Sequence, residues 1–138
     1  MNPGTILHDP QFTFADGELG NKLLVVLNDG KDGIYIVIKT TSQPKQKGRN
    51  DGCQLKDRPP NFYVPDGSCC LRGESWFLLV EFYDLKAAEL QQKVFVGSIR
   101  RIGELPKDLL IELLACAIDS FDIRENQRED LQRVLNSL

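Results

Sequence analysis

A lysine and a run of hydroxyl side chains lie at positions that a β-hairpin would bring together. Lys22 begins the apolar segment "KLLVVLN", and Thr40, Thr41 and Ser42 end the next such segment. The sequence "NDGKDG" (28–33) between the two segments contains two Asp-Gly pairs, which are typical of hairpin turns. In an antiparallel hairpin the start of one strand lies beside the end of the other. An ammonium group beside hydroxyls can position a phosphodiester, although hydroxyl residues are also common at ordinary strand ends.

Five cations follow in a segment, residues 43–60, that has no apolar periodicity. They are Lys45, Lys47, Arg49, Lys56 and Arg58. Together with Tyr63 just beyond the segment, they could follow an RNA backbone while the ring stacks on a base. A solvated surface loop without a specific role fits the same composition. The whole chain carries a net charge of −3, which argues against a uniformly basic nucleic-acid protein.

The four cysteines and the single histidine offer metal or nucleophilic chemistry. Cys53, Cys69, Cys70 and His8 would supply enough ligands for a zinc ion, but their spacing lacks the usual C-x2–4-C pair. Cys116 lies on the apolar side of a predicted helix and is expected in the core. No segment places His8 beside a thiol, so a Cys-His nucleophile is not indicated. We therefore predict no metal site and no cofactor.

The composition favours one folded domain in the cytoplasm. The chain has 138 residues, of which 41% are hydrophobic and 27% are charged. No apolar run approaches the length of about eighteen residues that a membrane helix needs. The N-terminal residues lack the basic and apolar regions of a secretory leader. We accordingly interpret all four cysteines as thiols.

Hydrophobic patterning predicts an antiparallel sheet followed by two helices. Residues 1–20 are rich in glycine and proline and are predicted to form a loop. The predicted strands are 22–28, 34–40, 61–64, 75–85 and 93–99, and the predicted helices are 105–121 and 122–138. The last helix has a narrow apolar stripe and a capping-box pattern at Asp122 and Glu125, so we expect it to be lightly docked or partly detached.

The order of these elements and several short matches resemble the PemK/MazF-like toxin family over residues 17–121. The matches are a Gly-x-Lys that ends at Lys22, the strand "LLVVLN", the Thr-Ser pair of the next strand, "FYDLKAAEL" and "VGSIRRIGELPKDLLIELLACAI". The resemblance implies an α+β fold with a small antiparallel SH3-like β-barrel followed by two C-terminal helices. It divides the chain into a barrel domain at 1–121, which carries the basic loop 43–60, and a polar C-terminal helix at 122–138.

The resemblance also implies an activity. The family cleaves single-stranded RNA without a metal, as a homodimer, and an antitoxin protein is then a further partner. The position of the family's catalytic arginine holds Lys22 here, and the family's Thr-Ser pair matches Thr41 and Ser42. Lysine keeps the positive charge but loses the planar five-donor fork of arginine. The family's Arg-Ser-Leu-Asp segment reads Tyr-Asp-Leu-Lys at 83–86.

Three functions follow from these patterns. The first is an endoribonuclease with Lys22, Thr41 and Ser42 as catalytic residues and the five loop cations and Tyr63 as RNA-binding residues. The second is a catalytically inactive barrel that binds nucleic acid or protein in a toxin–antitoxin or defence system. The third is a structural partner in a larger assembly, with residues 122–138 as its contact helix.

Overall fold

The computed structural model describes residues 1–50 and 52–138 and has a mixed α+β fold. Over this part of the chain, eight strands and three helices alternate irregularly. The strands are β1 (Thr5–Thr13), β2 (Leu19–Val26), β3 (Ile34–Thr41), β4 (Gly52–Gln54), β5 (Asn61–Val64), β6 (Ser75–Leu78), β7 (Tyr83–Lys86) and β8 (Arg100–Glu104). The helices are α1 (Ala87–Phe95), α2 (Lys107–Ile118) and α3 (Glu125–Ser137).

The strands form one antiparallel sheet in the order β4-β5-β6-β3-β2-β1-β8, and β7 pairs with the first half of β3. The strands β4 and β8 lie at the two ends of this order and do not pair with each other. The sheet formed by the described strands is therefore open, and it lacks the closure that the predicted SH3-like barrel requires. The α+β class and the antiparallel arrangement agree with the sequence prediction.

The central strands are buried on both faces of the sheet. Val25 and Ile36 pack in one cluster with Leu113 of α2 and Leu131 of α3. Their neighbours on the opposite face, such as Leu24, pack in a second cluster with α1. A strand that is covered on both sides carries apolar residues without alternation, which explains the continuous run "LLVVL".

The predicted hairpin between β2 and β3 is confirmed. Gly30 has a φ of 71° and Gly33 a φ of 86°, backbone values that residues with a side chain rarely adopt. At Gly30 an added Cβ would also lie 2.6 Å from the ring of Tyr35. The two Asp-Gly pairs thus set the turn that brings the end of β3 to the start of β2.

The prediction of a loop over residues 1–20 is wrong, because β1 and the start of β2 lie there. Pro10 is in the interior of β1, at a point where the pairing register with β2 shifts between Asp9 and Phe12. A proline lacks the N–H that a ladder needs, but a bulge leaves this position unpaired. The breakers that indicated a loop therefore mark an irregular strand.

The predicted strand over 93–99 is also wrong. Residues 87–92 are mostly helix formers, and the helix that they begin continues through Phe95 before Gly97, with a φ of 86°, ends it. The strand of this region is β8, which starts at Arg100. The predicted strand 75–85 is likewise divided, into β6 and β7.

Two of the four cysteines are joined in a disulfide, so the prediction of four thiols is wrong for this pair. Cys53 in β4 and Cys116 in α2 are 63 residues apart in sequence, and their Cα atoms lie 5.5 Å apart. Cys116 is buried, as predicted, whereas Cys53 is exposed. Cys69 and Cys70 are free thiols. The spacing of the cysteines in the sequence could not predict this disulfide, because β4 and α2 are far apart in the chain.

The last helix is docked rather than detached. Leu131 and Val134 of α3 are buried in the main cluster. At its start, Gln127 accepts a hydrogen bond from the N–H of Arg124, so the helix begins two residues later than the predicted capping box at Asp122. No helix in the described part of the chain is long and apolar enough to cross a membrane.

Candidate functional site

An open cavity of about 580 Å³ lies where β2, β3 and the segment before β6 meet. The three predicted catalytic residues, Lys22, Thr41 and Ser42, all line it. Arg72 and Glu74 line the same cavity from the segment before β6. Residues that are far apart in the sequence thus surround one solvent-accessible space.

Strand pairing explains why Lys22 and Thr41 lie on the same side of the sheet. The β2–β3 register pairs Leu24 with Lys39, and two further residues along each strand lead to Lys22 and Thr41. Since side chains alternate between faces, both residues project to the same face. Thr40 projects to the opposite face, where it is buried and donates its hydroxyl to the carbonyl of Leu23.

The two hydroxyls at the end of β3 differ in their surroundings. The Thr41 Oγ1 accepts a hydrogen bond of 3.1 Å from the N–H of Gln43, which fixes the turn after the strand. Its own O–H is not used in that bond and can be donated to a ligand. Ser42 is exposed. Both hydroxyls can therefore donate to an anion in the cavity.

Lys22 is a half-buried cation without a carboxylate partner among the described residues. Burial lowers the pKa of its ammonium group, and repulsion from Lys39 lowers it further. The nearby Lys39 is itself occupied, because it forms an ion pair of 3.4 Å with Glu81 and lies over the ring of Phe14. An anion bound in the cavity would offset the unfavourable environment of Lys22.

Arg72 adds a second cation, and a glycine allows its loop to reach the cavity. The loop that carries Cys70 and Arg72 lies against β8 at Gly103, where an added Cβ would lie 2.7 Å from the Sγ of Cys70. Arg72 is exposed and has no ion-pair partner in the described part of the chain. The cavity therefore has cations on two sides.

Glu74 is the only acidic side chain among the described residues that line this cavity. Its carboxylate accepts two hydrogen bonds from Arg49, at 2.8 Å and 3.0 Å, and one of 2.8 Å from the hydroxyl of Tyr63. The bonds from Arg49 and then from Tyr63 hold the pKa of Glu74 below its ordinary value. Glu74 is thus fixed in position and ionised.

The structure does not bring all six predicted RNA-binding residues to one surface. Lys47 is only 8% exposed, and its ammonium group lies 5.8 Å from the ring centre of Trp76. Arg49 and Tyr63 are both bonded to Glu74. The other three, which are Lys45, Lys56 and Arg58, are exposed, and no ion pair engages them in the described ranges.

The basic segment 43–60 is internally hydrogen-bonded rather than structureless. The side-chain amide of Gln54 donates to the carbonyl of Gly48 and to the Oδ1 of Asn61. Asn61 in turn donates to Asp57. The indole of Trp76 donates to the carbonyl of Gly48 at 2.8 Å, which ties the segment to β6.

Other candidate chemistries receive no support from the arrangement of side chains. Among the described residues, no group of three or more His, Cys, Asp and Glu side chains is placed to hold a metal ion. Cys53 is in the disulfide, and the Nε2 of His8 is hydrogen-bonded to the Oδ1 of Asn21 at 2.6 Å.

The sequence identified the β2–β3 part of the cavity but not its opposite wall. Arg72 and Glu74 precede the predicted strand 75–85, and their residue types alone give no indication of a site. Only the pairing of β6 with β3, Thr41 opposite Trp76, brings them next to the hydroxyls.

A scan against protein-family models found no match to this chain, and a search of curated proteins found none either. The resemblance to PemK/MazF-like toxins stays a prediction from the sequence.

Proposed function

We propose that this protein binds single-stranded RNA in the cavity around Lys22 and cleaves it without a metal, as a PemK/MazF-like endoribonuclease. The observation that carries the proposal is the position of Lys22, a cation without a carboxylate partner among the described residues, beside Thr41 and Ser42 in one open cavity. The volume of about 580 Å³ is within the usual range for ligand sites.

The residues have distinct roles in the proposed reaction. Lys22 stabilises the negative charge that develops on the phosphorane. Thr41 and Ser42 donate hydrogen bonds to the non-bridging oxygens of the scissile phosphate. Groups that are fixed in place before the reaction are effective in this role because they need no reorganisation. Arg72 contacts a neighbouring phosphate.

The exposed cations of the basic segment extend the RNA-binding surface. Lys45, Lys56 and Arg58 are the members of the predicted set that are accessible to a phosphate backbone. Single-stranded RNA bound in this way would dissociate as the salt concentration rises.

The proposal includes the assembly that the resemblance implies, which is a homodimer in the cytoplasm with an antitoxin partner. The open edge of β8 supports self-association. Two copies of β8 that pair antiparallel about Ile102 would place Arg100 of one copy opposite Glu104 of the other. Ile102 is 44% exposed and also lines the cavity, so the second copy would contribute to the site.

Cleavage of a long single-stranded RNA in the presence of a chelator tests the proposal. We expect discrete cuts by the wild type and a loss of about 10²-fold or more in Lys22→Ala, as for removal of a key oxyanion donor. Lys107→Ala, which removes an exposed cation from the start of α2, is the matched control and should cut normally. Absence of cutting by the wild type, or equal cutting by Lys22→Ala, would overturn the proposal.

A binding module without catalysis is the second candidate. The observation that favours it is the lysine at the position of the family's catalytic arginine. In that case the RNA stays intact in the assay above, while filter binding still detects a complex that Lys22→Ala weakens.

A further inference from the structure

We propose that Glu74 is the general base of the cavity and that Arg49 and Tyr63 position it. This inference rests on the proposed ribonuclease function. Metal-independent cleavage needs a group that accepts the proton of the attacking 2′-hydroxyl. Neither the ammonium group of Lys22 nor the hydroxyls of Thr41 and Ser42 are suitable acceptors, whereas an ionised carboxylate is.

The hydrogen-bond arrangement leaves one oxygen of Glu74 with capacity to accept a proton. Oε1 takes bonds from both Arg49 Nε and the Tyr63 hydroxyl, whereas Oε2 takes one bond, from the Arg49 NH2 group. A carboxylate oxygen has two lone-pair sites, so Oε2 retains one. The side chain is 31% exposed and lines the cavity, so a nucleotide bound there would lie beside this carboxylate.

The two positioning residues are themselves held by Trp76. The guanidinium carbon of Arg49 lies 5.6 Å from the centre of the Trp76 ring, and the ring of Tyr63 lies 5.3 Å from it. Trp76 is fully buried, and its indole donates to the carbonyl of Gly48. Arg49 was predicted to bind RNA, and in this assignment it instead orients a carboxylate.

The proposed step balances with residues of this chain. The 2′-oxygen attacks the phosphorus and its proton passes to Glu74. The bond from phosphorus to the 5′-oxygen breaks, and the leaving oxygen takes a proton from the ammonium group of Lys22. The products are a 2′,3′-cyclic phosphate and a 5′-hydroxyl. Water then returns the proton from Glu74 to Lys22.

The arrangement predicts a bell-shaped pH profile. The rate rises as Glu74 loses its proton, and it falls at high pH as Lys22 loses its own. Among the described residues, Arg49 and Tyr63 are bonded to Glu74, and the cations Arg72 and Lys22 line the same cavity.

The charged and titratable groups around Lys22, among the described residues, are Lys39 and the cross-strand residue Asp9. The pKa values of Glu74 and Lys22 are both lowered, so the acid limb lies below the ordinary range of a glutamate and the alkaline limb below that of a lysine.

Substitution of Glu74 and Arg49 tests the assignment. Glu74→Gln should cut RNA at least about 10²-fold more slowly while RNA binding in a filter assay is retained. Glu74→Asp, which keeps a carboxylate, should restore part of the rate. Arg49→Ala removes the main cause of the lowered pKa of Glu74, so the acid limb of its profile should move to higher pH, and Arg49→Lys should lie between it and the wild type.

The outcomes separate this inference from the proposed function. If the wild type cuts RNA, Lys22→Ala does not, and Glu74→Gln cuts as fast as the wild type, only the role of Glu74 is overturned. An acid limb that is the same in Arg49→Ala and the wild type also overturns it. If Glu74→Gln fails to fold, as circular dichroism would show, Glu74→Asp and the Arg49 profiles still decide. If the wild type does not cut, both ideas fail together.

Discussion

Lys47 illustrates how a residue's type can suggest a ligand while its surroundings give it a structural role. Its buried ammonium group over Trp76 contributes a cation–π contact, and its stem covers apolar surface. We expect Lys47→Ala to lower the free energy of unfolding by about 1 kcal/mol, measured by urea denaturation. The dependence of RNA binding on salt should stay unchanged in this variant.

Lys45, two residues earlier and exposed, is the matched control. Lys45→Ala should leave stability unchanged and reduce the slope of log affinity against log salt by about 0.7, the value for one phosphate contact on a single strand. If Lys47→Ala reduces the slope of log affinity against log salt as much as Lys45→Ala does, Lys47 is not buried over Trp76 in the RNA-bound protein.

The predictable part of the site follows from local chemistry. The hairpin turn and the alternation of strand residues are encoded within about twenty consecutive positions, so the placement of Lys22 near Thr41 could be predicted from the sequence. The proposed role of Glu74 could not, because it depends on Arg49 and Tyr63, which come from two other segments of the chain. Residue types that serve equally as surface charges carry no local indication of such a network.

At the scale of elements, the errors have a common physical cause. β1 and α1 were missed because tertiary packing overrides local preference. β1 keeps a proline inside a strand by means of a bulge, and α1 includes Val94 and Phe95, which favour strands, in its last turn. The strands β2 and β3 and the helix α2 were predicted from long apolar patterns with clear boundary residues, and the short strand β5 and the polar helix α3 were also predicted.

The docking of α3 depends on a polar contact that the sequence pattern did not reveal. Arg133 donates to both Asp29 in the β2–β3 turn and Asp130 of its own helix. The bond from Arg133 is the main cause that lowers the pKa of Asp29 to about 2. Since the folded pKa is below the ordinary value, this pairing stabilises the protein above about pH 4 and the contribution is lost as the pH falls towards 2.

Arg133→Ala should therefore destabilise the protein by about 1 kcal/mol at neutral pH, because the network is partly exposed to solvent. The difference from the wild type should shrink as the pH falls below about 4, as urea unfolding at several pH values would show. Lys107→Ala, an exposed cation on the adjacent helix, should show no such dependence. A constant difference at every pH would mean that Arg133 acts through packing rather than through Asp29.

For the whole molecule, the disulfide joins the basic segment to the helical layer. Thiol titration of the denatured protein should give two groups before reduction, Cys69 and Cys70, and four afterwards. A closed loop of this length constrains the unfolded chain, so reduction should cost up to about 4 kcal/mol. Cys69→Ser should leave that loss unchanged, whereas four thiols in the unreduced protein would contradict the pairing.

The proposed homodimer depends on the edge of the sheet at β8, and a charge exchange tests it. In the antiparallel pairing about Ile102, Arg100→Glu places a carboxylate opposite Glu104 of the other copy, and like charges directly opposite each other destabilise a strand pair. We expect this variant to be monomeric at concentrations where the wild type is dimeric, as measured by light scattering after gel filtration. The double variant Arg100→Glu with Glu104→Arg restores opposite charges and should dimerise again.

A single variant that remains dimeric, or a double variant that stays monomeric, would show that the copies associate through another surface. If the single variant loses both dimerisation and RNA cleavage, and the double variant regains both, Ile102 of the second copy completes the cavity.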